Sequence, residues 1–267
     1  MKRKELGEIL TQRELAPGIF SMELKVSFAD QVRAGQFVSL FSKDRSRLLP
    51  RPISVCETDA ENGTIRLVYR TAGAGTTEFS QMAEGEKLAV FGPLGNGFPT
   101  RKALGKKVLL VGGGIGIPPM VSCARELELV GELNPEYRTR MTFAVGYRSF
   151  ETYLLDELED LAPTFVSTDD GSLGTKGTVL DAIREQKIEA DLVFACGPMP
   201  MLRGIKEYAK EKGIPCYISM EERMACGIGV CLGCVCKTQE VDDHSKVKNT
   251  RICKDGPVFD AEEVDLS

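Results

Sequence analysis

Lys107 to Met120 read KVLLVGGGIGIPPM, and the rest of the chain is organised around this stretch. An apolar run, VLLV, enters three consecutive glycines and leaves through Pro118 and Pro119 into PPMVSCARELELVGEL, whose apolar residues recur at helical spacing. Strand, glycine turn and helix start is the order a phosphate-binding turn requires. Gly112, Gly114 and Gly116 let the backbone approach a pyrophosphate, whose charge sits well at a helix N-terminus. Prolines in the first helical turn sacrifice no hydrogen bond there. The full G-x-G-x-x-G fingerprint is not met, because Ile117 stands where the third glycine belongs; alone, the stretch reads equally well as a tight turn.

Downstream the same grammar repeats. MTFAVGY, TFVSTD and DLVFACGP read as strands, and ETYLLDELEDL, TVLDAIREQK and MPMLRGIKEYAKEKG as helices. Alternating strands and helices predict a parallel sheet with right-handed crossovers. ACGPMPML places Cys196, Gly197 and Pro198 at a strand's carboxyl end, the edge where open parallel sheets bind ligands. There Gly197 gives a flat ring room to approach and Cys196 lines it. The alternative for Cys196 is a buried structural thiol, and no neighbouring cation marks it as a nucleophile.

Upstream, MELKVSF, GQFVSLF, TIRLVYR and KLAVFGP alternate in strand fashion between turn signals, which predicts an antiparallel barrel or sandwich. Two segments of this part stand out. LLPRPISV offers Arg51, a fork of donors suited to phosphate, beside the rigid Pro52 and the hydroxyl of Ser54. RLVYRTAGAGT offers Arg70 with a close-approach turn at Gly75 and Thr76. Taken singly, either segment is an ordinary hairpin with surface arginines. GPLGNGF (92–98) is a third glycine-rich turn between the two parts, and as a bland reading a linker.

The C-terminal portion reads ERMACGIGVCLGCVCKT (222–238) and then RICKDGPVF (251–259). Cys226, Cys231 and Cys234 are spaced C-x4-C-x2-C, and Cys253 follows after eighteen intervening residues, the plant-type spacing for a [2Fe–2S] cluster. Structural zinc also takes four cysteines but usually pairs them as two short knuckles, and only Cys231 and Cys234 resemble one. Cys236 is a fifth cysteine of this group, read as a bystander. Cys56, Cys123, Cys196 and Cys216 are scattered and default to buried hydrophobes. The single histidine, His244, lies in a charged stretch and excludes a Rieske centre, which needs two.

Length and charge narrow the class. The 267 residues suffice for two domains and an appendage, and the net charge of −5 argues against nucleic acid. MKRKELGEIL has no apolar run behind it to act as a signal, and VLLVGGGIGIPPMV is too broken to span a membrane. A cytoplasmic protein is expected.

RPIS, VYR-x4-GT, VGGGIGIPP, TDDGSLGTKG, CGPMPML and the cysteine-rich tail, taken in order, resemble the electron-transfer subunits of dihydroorotate dehydrogenase B, within the ferredoxin-reductase superfamily. The resemblance implies a flavin-binding Greek-key barrel (1–100), a nucleotide-binding α/β domain (101–220) and a small [2Fe–2S] domain (221–267). It implies that Arg51, Pro52, Ile53 and Ser54 form a first FAD motif, Val68, Tyr69 and Arg70 a second, and Gly75 with Thr76 a third. Cys226, Cys231, Cys234 and Cys253 match the cluster ligands. The implied partner is an FMN-containing dihydroorotate dehydrogenase catalytic subunit, two of each chain forming a heterotetramer that serves pyrimidine biosynthesis. NAD is the implied nucleotide, although Arg148 and Ser149 sit where relatives using NADP read a 2′-phosphate. The polar stretch VDDHSKVKN (241–249) before Cys253 is longer than the family pattern. Two other readings remain open: an NAD(P)H-dependent reductase subunit serving another redox partner, and a zinc-stabilised nucleotide-binding regulatory module.

Overall fold

A computed structural model describes residues 2–241 and 246–266, so His244 lies outside the described residues. Six strands close into an antiparallel barrel: β1 (Arg3–Ala16), β2 (Ile19–Lys25), β3 (Phe37–Phe41), β4 (Arg51–Asp59), β5 (Thr64–Arg70) and β6 (Lys87–Leu94). Their order, β1-β2-β5-β4-β3-β6, is a Greek key, and β6 returns to β1 to remove both edges. Alternation along each strand sends one set of side chains inward. Ile9, Met22, Leu24, Val38, Leu40 and Leu67 fill the interior without solvent exposure. A short helix, α1 (Ala74–Ser80), follows β5.

The chain then runs through β7 (Lys107–Gly113), α2 (Pro118–Leu133), β8 (Arg140–Tyr147), α3 (Leu155–Leu161), β9 (Thr164–Thr168), β10 (Thr175–Lys176), α4 (Val179–Glu185), β11 (Leu192–Cys196), α5 (Met199–Lys212) and β12 (Cys216–Ser219). These strands form the parallel part of a sheet ordered β10-β9-β8-β7-β11-β12-β15. Strand β7 is central and buried on both faces, which is why VLLV carries no alternation. Helices α2 and α3 cover one face, and α4 and α5 the other. Helix α3 starts four residues later than its sequence pattern suggests, because Leu154 holds a left-handed backbone (φ 62) that a helix cannot pass through.

The tail folds on a small ladder, β13 (Val235–Lys237) against β14 (Asn249–Arg251), and ends in β15 (Val258–Asp260). Strand β15 pairs antiparallel with β12, so the cysteine-rich tail also completes the main sheet. Its core is shared: Cys234, Ile252 and Cys253 pack in one cluster with Phe37 and Leu94 of the barrel. Among the described residues, no helix is long and apolar enough to cross a membrane.

Candidate functional site

The glycine turn lies where strand β7 gives way to helix α2, with Pro118 and Pro119 in the first helical turn. Gly116 is fixed there by packing: a Cβ would run into the carbonyl of Cys196 and the amide of Gly197. The two α/β motifs thus meet edge to edge at the carboxyl end of adjacent strands β7 and β11. A Cβ on Gly113 would likewise touch Pro198 and Met201.

The barrel motifs face this edge. Arg70 is exposed at the end of β5, and its Nη2 lies 3.5 Å from where a Cβ on Gly114 would stand. Arg51 opens β4, with its guanidinium stacked over Gly75 and its Nη1 donating to the Leu49 carbonyl. Pro52, Ile53 and Ser54 follow, half-buried and paired with β3. The structure therefore brings Gly112, Gly114, Gly116, Cys196, Gly197 and Pro198 to one sheet edge with Arg70 of the barrel against it, while Arg51 and Gly75 adjoin each other on the barrel.

Three motif residues serve the scaffold instead. The Tyr69 ring lies inside the barrel between Phe20 and Phe79, and its hydroxyl accepts from Gln12 Nε2 at 2.9 Å. Burial pushes its pKa up to about 12. Val68 is buried in the core between the two parts. The Thr76 hydroxyl accepts from the amide of Ala72 at 2.9 Å and donates to the carbonyl of Gly73, so it orders its own turn. Cys196 is fully buried, and burial raises its thiol far above the ordinary range, which leaves it neutral. Burial likewise pushes Cys56 and Cys216 up to about 12, as expected of inert thiols.

At the tail, the four spaced cysteines come together as two pairs. Cys226 Sγ accepts the amides of Ile228 (3.5 Å), Val230 (3.3 Å) and Cys231 (3.4 Å), and the Cys231 thiol joins them. Burial opposes ionisation of Cys226, but these amides outweigh it and lower the thiol to about 6. Cys234 Sγ accepts the Cys253 amide at 3.4 Å and bonds the Cys253 thiol. The β13–β14 ladder makes this second pair, since Val235 sits opposite Arg251 and the Ile252 amide donates to the Cys234 carbonyl. Among the described residues, no three His, Cys, Asp or Glu side chains close on a single point. Two pairs of thiols with amides aimed at sulfur suit a two-iron cluster. Cys236 is half-buried, and burial pushes it up to about 11.

The turn 92–98, read above as a linker, is a staple. Asn96 Nδ2 donates to the carbonyls of Asp255 (3.0 Å) and Val258 (2.7 Å), and Asn96 Oδ1 accepts the Val258 amide at 3.0 Å. Sequence gave no sign of this role beyond the asparagine among glycines. Arg148 lies exposed just beyond β8, and the carbonyl of Arg148 accepts the Asp170 amide at 3.4 Å.

Comparison with known proteins agrees with this geometry. Residues 221–265 match the iron–sulfur cluster binding domain of dihydroorotate dehydrogenase B, and residues 110–207 match an oxidoreductase NAD-binding domain. The chain is 41% identical to the dihydroorotate dehydrogenase B (NAD(+)) electron transfer subunit of Bacillus pumilus, over 99% of each chain. It is 38% identical to the protein of the same name from Geobacillus sp., over the full length of both. Among solved structures, a chain of the NADH-dependent reduced ferredoxin-NADP oxidoreductase superposes with a TM-score of 0.82 at 30% identity, covering 98% of this chain and 90% of that one. A ferredoxin reductase of carbazole 1,9a-dioxygenase shares the fold at a TM-score of 0.65 and 18% identity, over 80% of this chain and 67% of its own. With relatives this similar along its whole length, the chain belongs to the family of dihydroorotate dehydrogenase B electron transfer subunits.

Proposed function

We propose that this chain carries electrons between an FMN-containing subunit that oxidises dihydroorotate and NAD⁺, using a [2Fe–2S] cluster and FAD. When bound, the two groups convert one-electron into two-electron traffic, and the protein sets their positions and potentials. Cys226, Cys231, Cys234 and Cys253 hold the cluster. Arg51 and Arg70 bind the flavin's phosphates, and Pro52, Ile53 and Ser54 line its ring, on a frame built by Val68, Tyr69, Gly75 and Thr76. Gly112, Gly114 and Gly116 receive the pyrophosphate of NAD, and Cys196, Gly197 and Pro198 border its nicotinamide. The three units divide near residues 100 and 220.

The observation that carries this reading is where the barrel meets its two neighbours. Arg70 of the barrel stands at Gly114 of the nucleotide turn, while the cysteine loop packs on the same barrel through Phe37 and Leu94. Both contacts support seats that adjoin, as a chain of electron transfers requires. The side chains around the cysteines, Ile228, Val230, Leu232 and Val235, are exposed and apolar, which suits the catalytic subunit as their partner. A cytoplasmic heterotetramer with two of each subunit is the assembly we infer.

The test is reconstitution with an FMN-bearing, dihydroorotate-oxidising subunit. Dihydroorotate-dependent NAD⁺ reduction is expected from the pair and from neither subunit alone. Colourless protein with zinc and no iron would sink the proposal. Stable pairing with a different oxidoreductase would redirect it to the reductase alternative, and there a preference for NADPH would implicate Arg148.

A further inference from the structure

Ser39 lies in the middle of β3 with 1% of its surface exposed. Its neighbours Val38 and Leu40 point into the barrel, so Ser39 faces outward with Phe37, towards the core shared with Cys234 and Cys253. Its Oγ has no hydrogen-bond partner among the described residues. Native proteins rarely bury a hydroxyl unbonded, because the group loses its water and gains nothing. Gln12 Oε1, Ser42 Oγ and the Tyr153 hydroxyl are also buried without a partner among the described residues, and what sets Ser39 apart is the cysteine loop beside it.

Two contacts describe that setting. On one side, Ser39 is paired in register with Pro52 of the RPIS segment. On the other, its Oγ is the atom nearest the open side of Gly227, 3.2 Å from where a Cβ would stand. Gly227 follows Cys226 directly and holds a left-handed backbone (φ 68). A side chain there would be strained and would press on both Ser39 and Leu94. The glycine thus leaves the hydroxyl free to reach the cysteine loop at its first ligand. The amides of Ile228, Val230 and Cys231 already serve Cys226 Sγ from within the loop, and Ser39 Oγ approaches the same loop from the barrel at Gly227.

We propose that Ser39 is a positioning residue for the iron–sulfur cluster: it donates its hydroxyl proton to the sulfur shell on the Cys226 side and so raises the cluster's reduction potential from the flavin-bearing strand. This rests on the reading that the chain holds a [2Fe–2S] cluster beside FAD. A donor to sulfur favours the reduced cluster, which carries the extra negative charge, and hydrogen bonds of this kind set iron–sulfur potentials.

The experiment uses the complete complex with its catalytic subunit and follows the cluster by EPR during a redox titration. Wild-type protein must first show the signal of a reduced [2Fe–2S] cluster and the absorption of bound flavin. If it shows neither, the functional reading fails and Ser39 is not at issue. Given both, Ser39→Ala is expected to shift the cluster midpoint downward by roughly a tenfold change in the reduction equilibrium, about 59 mV for one electron. The flavin midpoint should stay in place, and Ser39→Thr, which keeps the hydroxyl, should restore the cluster value. An unchanged cluster midpoint in Ser39→Ala overturns the proposal, as does an equal shift in Ser39→Thr. Loss of iron and labile sulfide from Ser39→Ala also overturns it, since Ser39 would then be holding the loop together and not tuning the cluster.

Discussion

At Gly116 the missing side chain is a packing requirement, because the strand β11 backbone occupies the space a Cβ would need. Gly116→Ala must therefore push the nucleotide turn away from Cys196 and Gly197. Overpacking of this kind costs about 1–3 kcal/mol. We expect a lower thermal midpoint and weaker NADH binding, measured by calorimetry and by titration of flavin quenching, while the cluster spectrum is retained. The cysteines give a paired comparison. Cys253 closes the second thiol pair, whereas the side chain of Cys236 takes part in neither. Cys253→Ser should lose iron, labile sulfide and the broad visible absorption. Cys236→Ser should keep all three, and loss of cluster from that variant would show that the ligand register has been assigned wrongly.

At the scale of elements, barrel and sheet are held in fixed relation by an ion network between β5, β4, α2 and α3. Arg66 meets Glu157 through both carboxylate oxygens, at 2.6 and 2.8 Å, and Glu57 reaches Arg125 at 3.4 Å. The Arg66 hydrogen bond lowers the Glu157 carboxyl below its ordinary 4.5, against the opposing effect of burial. A depressed folded value means stability that is fully present above 4.5 and is lost as pH falls through the folded value. Glu157→Gln should cost about 1–2 kcal/mol at neutral pH, allowing for partial solvent screening. In urea titrations, the gap between variant and wild type should close as the pH drops below the usual glutamate range. No such network can be read from a sequence, because its bonded partners lie up to 91 positions apart. Elements differ in the same respect. Strands β7 and β11 and helix α2 were legible because burial on both faces leaves continuous apolar runs and a proline-marked helix start, whereas β10 and β12, two and four residues long, leave no such pattern. Strand β1 was not legible either, since half of its residues are exposed and two register shifts break its alternation. Strand β15 was hidden because its partner, β12, is some forty residues away and the tail reads as glycine and cysteine. For the site, the cysteine spacing carried the ligand set, and Asn96 and Ser39 remained invisible because their significance comes only from contact with the tail.

For the whole molecule, the barrel meets its two neighbours at different places: Arg70 stands at Gly114 of the glycine turn, and Phe37 and Leu94 pack with Cys234 and Cys253 of the tail. The cysteine loop opens to solvent. Val230 is 75% and Leu232 58% exposed on the cysteine loop itself. Apolar groups around a redox centre cost solubility, and a partner that covers them recovers the hydrophobic term, about 25 cal/mol for each Å² removed from water. The same contact excludes water and shortens the path between the two proteins' centres. Leu232→Glu would place a charge in the middle of that contact. A buried, unpaired carboxylate is costly at an interface core, and loss of about 1.4 kcal/mol is already tenfold in affinity. We therefore expect the variant to bind the catalytic subunit at least about tenfold more weakly in sedimentation or calorimetry, with dihydroorotate-dependent NAD⁺ reduction falling at low subunit concentration and recovering at high concentration. Reduction of the isolated chain by NADH should be unaffected, because Leu232 is exposed on the cysteine loop and outside the glycine-turn and barrel motifs. Undiminished affinity would mean that electrons leave the chain through a different surface, and the loop's exposed apolar side chains would then need another explanation.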